Sequence, residues 1–321
     1  MKKYILFATA VVALAACSSN EEIDHITSCE IKLSSTLLVQ TRAAQDIQST
    51  AFDSGETVAV FINENTSGTA STTYEQPLKY TTGTGGALTT TTTQYFPQNG
   101  NGVTIYAVYP YDAGKEVTVS EESAPFSVQS DQSTDENYKA SDLMVGSPTT
   151  TDKVVYRTTD EVALQFSHCL SKINVNISAG AGVNEEDLQG AIVTIYTGTN
   201  NASFNVQSGV VTAVESQGQA AMPSVSLGAL TVTEDAGPIG MSGIIIPQTI
   251  QGGSQFITIR TTGQTLATYS YSIPTGAAKQ FEAGYAYTYN ITVLKSGLTV
   301  DNTTISPWQN GGSTNGDALS N

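Results

Sequence analysis

Beyond residue 30, no long stretch of this chain carries the apolar spacing of a helix. Short runs alternating apolar and polar side chains recur as far as Leu294, with turn residues between them. That pattern confines the chain to an all-β architecture of many short strands, a sandwich or a barrel. The firmest runs are Thr57 to Asn63, Val103 to Tyr109, Glu161 to Ile177 (one or two strands) and Tyr285 to Leu294. Shorter ones are expected at Pro125 to Gln129, Ala191 to Tyr196, Ser203 to Val206, Val225 to Val232, Gly243 to Ile246, Phe256 to Thr261 and Ala267 to Ile273. The one plausible helix is a turn or two at Asn184 to Gln189, with Asn184 as N-cap and Glu185, Glu186 and Asp187 at its positive end. A domain boundary is expected between Ser147 and Asp160, where Pro148, threonines and charges cluster.

One stretch stands apart. In Glu30 to Arg42 (EIKLSSTLLVQTR), Ile31, Leu33, Leu37 and Val39 share one parity with Ser35, and the other parity is polar apart from Leu38. This is a strand with one buried face. It ends at Arg42, one of three arginines, followed by Ala43 and Ala44. Either it is an ordinary first strand with a chance arginine, or it is a strand made for burial that cleavage at Arg42–Ala43 would detach.

The start of the chain has the form of an export signal. Met1-Lys2-Lys3 is a basic n-region, and Tyr4 to Ala16 is an apolar run too short to span a bilayer. Leu14-Ala15-Ala16-Cys17 resembles the lipobox of bacterial lipoproteins, in which Cys17 would receive lipid and become the new N-terminus. Glu21, Glu22 and Asp24 resemble the export tag of Bacteroidetes-type surface lipoproteins. The formal charge is −16, and removing residues 1–42 takes away four positive groups (Lys2, Lys3, Lys32, Arg42) and four negative ones (Glu21, Glu22, Asp24, Glu30), leaving it unchanged. Such a balance argues against binding nucleic acid or an anionic membrane surface. The cysteines are Cys17, Cys29 and Cys169, which imply no disulfide framework.

No catalytic or metal-binding constellation is legible, so no enzymatic activity and no cofactor is expected. The histidines are His25 and His168, too few for a histidine metal cluster or a triad beyond the leader. His168 and Cys169 are neighbours, but adjacent strand residues point to opposite faces, which disfavours a dyad. Gly83 to Gly86 leads into threonines rather than a helix, so it does not read as a phosphate cradle. Asp131, Asp135, Glu136 and Asp142 lack the ordered spacing of a calcium loop.

Seven stretches in order resemble the fimbrillins of Bacteroidales, the major-fimbria (Mfa-like) family of type V pilins. They are DSGETVAVF (53–61), VYPY (108–111), SDLM (141–144), LQFSHCLSK (164–172), IIPQT (245–249), FEAGYAY (281–287) and ISPW (305–308). The resemblance implies two tandem transthyretin-like β-sandwich domains of Greek-key type, here 43–155 and 156–321, behind a signal peptide (1–16) and a lipidated propeptide (17–42). It implies palmitoylation at Cys17, transient outer-membrane anchoring, and cleavage by an arginine-specific surface protease between Arg42 and Ala43. Loss of the strand carrying Ile31, Leu33, Leu37 and Val39 would leave an apolar groove that the C-terminal segment of another subunit fills, a form of β-augmentation. In this chain the donor maps to 296–309, with Leu298, Val300, Ile305 and Trp308 as anchors, although Trp308 could equally plug its own domain. The partners implied are other fimbrial subunits, and the destination is the cell surface and then the fimbrium. The role implied is a structural subunit, read as shaft. The alternatives are a tip or anchor subunit of the same fimbria, or a non-polymerising surface lipoprotein that binds glycan or host protein.

Overall fold

The computed structural model describes residues 28–37, 52–66, 69–71, 74, 76–117, 123–150, 153–215, 222–232, 238–262 and 266–308. The first half contains β1 (Leu33–Leu37), β2 (Thr57–Thr66), β3 (Thr69–Ser71), β4 (Leu78–Thr82), β5 (Ala87–Thr89), β6 (Val103–Tyr109), β7 (Ser123–Ser127), β8 (Met144–Pro148), β9 (Val154–Val155) and β10 (Val162–His168). The second half contains β11 (Ser171–Ala179), β12 (Ile192–Tyr196), β13 (Asn201–Asn205), β14 (Val211–Ala213), β15 (Ser224–Ala229), β16 (Ile239–Ile245) and β17 (Gln248–Ile250). It continues with β18 (Gln255–Arg260), β19 (Thr268–Ser272), β20 (Lys279–Phe281), β21 (Tyr285–Leu294) and β22 (Gly297–Pro307). Three short helices complete the set: α1 (Tyr111–Lys115), α2 (Asp135–Ala140) and α3 (Glu185–Leu188).

In the first half, β2, β4, β5, β1, β10, β8 and β6 follow one another, and a further β2–β6 pairing closes the ring. The result is a seven-stranded, barrel-like sheet around one core. Ile31, Leu33 and Leu37 meet Val58, Val60, Ile105, Leu88, Leu164 and Phe166 there, all buried. β2 and β6 are apolar on both parities because their second face is covered too: Ala59, Phe61, Tyr106 and Val108 belong to the core of the second half. Gly146 sits where a Cβ would lie 2.8 Å from the Phe166 ring, so its bare backbone lets β8 pass close over that side chain.

The second half has two four-stranded sheets, ordered β16-β11-β21-β22 and β15-β12-β18-β19. They share a core in which the rings of Phe256 and Tyr289 lie 5.3 Å apart and those of Tyr271 and Tyr289 5.8 Å apart. Tyr287, Tyr289, Ile291 and Val293 of β21 are all buried on one face, as the alternation predicts. Asn184 caps α3 in a capping box with Asp187.

One expectation is corrected. The first half is a barrel-like closed sheet rather than a sandwich, because β1 runs parallel to β10 from Leu33↔Val162 to Leu37↔Phe166 and joins it to β5. Val162, Leu164 and Phe166 of β10 belong to the core of that barrel. The halves also interlock, since β7 forms a three-stranded sheet with β13 and β14.

Leu33 is 2 % exposed and lies opposite both Val162 and Leu88. Leu33→Ala is therefore expected to destabilise the full chain by about 2–5 kcal/mol in denaturant unfolding. A change under about 0.5 kcal/mol would show that β1 is not part of the cooperative core.

Candidate assembly site

The leader strand sits in a slot bounded on both sides. Beyond the ladders, the Ile31 amide donates to the Gln94 carbonyl at 2.8 Å, the Phe96 amide to the Cys29 carbonyl at 2.8 Å, and the Val162 amide to the Lys32 carbonyl at 2.8 Å. The Cys29 thiol donates to the Thr158 carbonyl at 3.1 Å. The alternation that marks this stretch in the sequence is reproduced: Ile31, Leu33, Ser35 and Leu37 are buried, and Lys32 and Thr36 are exposed. Ser35, the one polar member of the buried row, donates its hydroxyl to the Gly86 carbonyl at 3.0 Å. Gly86 has φ +87, and a Cβ there would lie 2.3 Å from the Ser35 carbonyl oxygen. The Gly83 to Gly86 turn thus lets the leader backbone approach closely. Val39, Arg42, Ala43 and Cys17 lie outside the described residues.

The C-terminal segment is β22, which pairs antiparallel with β21 from Tyr285↔Pro307 to Leu294↔Gly297. It is the last strand of its sheet, with no neighbour on its other side among the described strands. Leu298 and Val300 are half-buried and Ile305 is 54 % exposed, so the expected anchors are incompletely covered in their own chain. Trp308 differs: it is 3 % exposed, its amide donates to the Gly284 carbonyl at 2.7 Å, and its indole stacks on His168 at 3.9 Å and 4°. Trp308 is a plug in its own chain here, one of the two roles open to it from the sequence.

His168 ends β10, the strand whose Val162–Phe166 stretch borders the leader slot, and carries the Trp308 indole at that end. Its Nδ1 lies 2.7 Å from Asp142 Oδ1, and its Nε2 is buried without a partner among the described residues. Sequence reasoning missed this cluster, because nothing local links positions 142, 168 and 308. Cys169 turns away from His168 toward the Ser167 carbonyl, and burial pushes its thiol up to about 12. Burial likewise holds the Lys172 ammonium below its ordinary range, opposed by the nearby Asp142 carboxylate.

The stretches that carry the family resemblance supply polar anchors. Lys139 Nζ lies 2.6 Å from Glu56 Oε1 and 3.3 Å from Asp53 Oδ2, and the Tyr109 hydroxyl donates to Glu56 Oε2 at 3.2 Å. Gln248 Oε1 accepts from the Gly198 and Thr199 amides at 2.6 and 3.1 Å. Among the described residues, no three His, Cys, Asp or Glu side chains gather as metal ligands would. Asp131 instead accepts from the Ser133 amide, and Asp135 and Glu136 start α2.

A barrel closed by its first strand and a second half edged by its last define a chain whose two ends are both strand partners. The chain belongs to the fimbrillin-like family, whose model matches residues 41–308, and residues 1–18 match the prokaryotic membrane lipoprotein lipid attachment site. A Bacteroides uniformis protein that carries the provisional name fimbrium subunit Fim1C is 27 % identical, over 99 % of this chain and 100 % of its own. Among solved structures, a candidate cell adhesion protein from Bacteroides ovatus superposes with a TM-score of 0.65 at 21 % identity, covering 88 % of this chain and 98 % of its own. A fimbrial protein from Bacteroides vulgatus gives 0.53 at 16 % identity, over 87 % and 99 %.

Two outcomes check the site. Trp308→Ala is expected to cost about 3–5 kcal/mol and to speed amide exchange in β22 while β6 stays protected; uniform exchange in both strands would contradict a local plug. The raised Cys169 thiol keeps its proton in the folded chain where the unfolded thiol, ionising near 8.5, has lost it. Stability from this group is therefore complete below about pH 8.5 and declines as pH rises toward about 12. Peptide mapping after alkylation at pH 8.5 should find native Cys169 unmodified and unfolded Cys169 labelled.

Proposed function

We propose that this chain is a structural subunit of a cell-surface fimbria, a shaft subunit serving adhesion, made as a lipoprotein and assembled by protease-triggered strand exchange. The observation that carries the reading is the seat of β1. It is the one barrel strand that precedes Arg42, and all its inward side chains are buried. Cleavage between Arg42 and Ala43 would separate this strand, and Cys17 with it, from everything that follows. The buried aliphatic residues lost with it, Ile31, Leu33 and Leu37, at roughly 1.5–3 kcal/mol each, would go together with its backbone pairing. An emptied slot between β5 and β10 would leave Leu88, Leu164 and Phe166 beside unpaired backbone, a template for another strand.

The segment after Lys295 supports the other half of the exchange. It is an edge strand whose anchors Leu298, Val300 and Ile305 are only partly covered at home, so transfer to a neighbour's slot would bury them further. Release requires Trp308 to leave His168, which slows donation until a vacant slot is offered. The surface protease, the transient outer-membrane anchor and the other fimbrial subunits are the partners this cycle needs.

Arg42→Ala tests the reading. Cells making that variant are expected to accumulate folded, lipid-anchored monomer without SDS-resistant ladders or filaments. Filaments of normal length from the uncleaved variant would discard the processing step, and lipidated wild-type monomer as the sole surface form would point to a non-polymerising binding lipoprotein.

A further inference from the structure

We propose that the leader slot selects its occupant by a hydroxyl at one position, and that it receives β22 in the leader's own direction, parallel to β10, with Thr303 against Gly86. The proposal rests on the strand-exchange reading and adds to it a register and a specificity rule.

Among the described residues the slot has four inward positions, filled by Ile31, Leu33, Ser35 and Leu37. The third differs in kind. Ser35 is 2 % exposed and its hydroxyl donates to the Gly86 carbonyl, which the turn at Gly86 brings against the leader backbone. An occupant without a hydroxyl there would bury that carbonyl beside apolar carbon. A fitting strand therefore reads apolar, apolar, hydroxyl, apolar.

The register of β22 on β21 supplies that row. Residues directly opposite one another in an antiparallel pair share a face. Leu298, Val300, Thr303 and Ile305 lie opposite Val293, Ile291, Tyr289 and Tyr287, whose side chains are buried in the core. The row stays in phase because the register shifts by one residue between Asn290 and Ile291, with Asp301 as the extra residue of the bulge. Laid along the slot in the leader's direction with the bulge at Asp301 kept, Leu298 takes the place of Ile31, Val300 of Leu33, Thr303 of Ser35 and Ile305 of Leu37, Asp301 and Asn302 together spanning the place of Ser34. In the reverse direction, Val300 would face the Gly86 carbonyl and Thr303 would occupy the Leu33 position, two mismatches. Thr303 is exposed in its own sheet, so its side chain matters little before exchange and is buried after it.

The test uses full-length protein cleaved after Arg42 and followed by SDS-resistant ladder formation. Thr303→Ser is expected to assemble at the wild-type rate, and the near-isosteric Thr303→Val about tenfold more slowly, the cost of a buried acceptor left unpaired, with an unchanged monomer melting curve. Direction is read from inter-subunit disulfides at Gln165, which lies beside Thr36 of the leader. In the proposed register Gln165→Cys links to Thr304→Cys; in the reverse register it links to Thr299→Cys. Wild-type assembly with an equally fast Thr303→Val, or a link through position 299, overturns the register and leaves strand exchange standing. Cleaved wild-type protein that forms no ladder removes strand exchange, and the register falls with it.

Discussion

The structure depends on the double pairing of a short strand that comes before the rest of the fold in the chain. β1 has β10 on one side and β5 on the other, and without it the ring of seven strands is open. Barrels remove the exposed edges that make β-sheets prone to uncontrolled association. In this chain the closure depends on a segment that a peptide bond at Arg42 joins to everything else. In the proposed cycle, closure and vacancy are two states of one sheet, and the choice between them is covalent rather than conformational.

In the proposed exchange the two halves serve different ends: the barrel offers the seat, and the second half offers an edge strand that Trp308 holds. His168 lies at the end of the strand that borders the seat and under the indole that secures the last strand. Its hydrogen bond to Asp142 ties the same point to the segment that precedes β8.

Much of the fold is legible in the sequence because strand alternation is local. Val103 to Tyr109 and Tyr285 to Leu294 are strands with the bounds their alternation indicates, and the buried row Ile31, Leu33, Ser35, Leu37 is as read. The barrel was not legible, since its closure is a parallel pairing of β1 with a strand some 130 residues away, as the Cys29 to Thr158 contact at a separation of 129 illustrates. Helices α1 and α2 escaped because one or two turns leave no periodicity to detect. β10 alternates like any other strand, and only its partners show that it lies in the barrel. Gly86 reads as turn chemistry in the sequence, and its closeness to the leader appears only in three dimensions.

The most direct measurement is the structure of the assembled fibre by electron cryo-microscopy, at a resolution that identifies side chains between β5 and β10. Density for residues 298–305 of a neighbouring subunit, with residues 29–37 absent, is the predicted result. Residues 29–37 still seated in their own barrel within the fibre would contradict it, leaving the fold intact and the means of assembly unexplained.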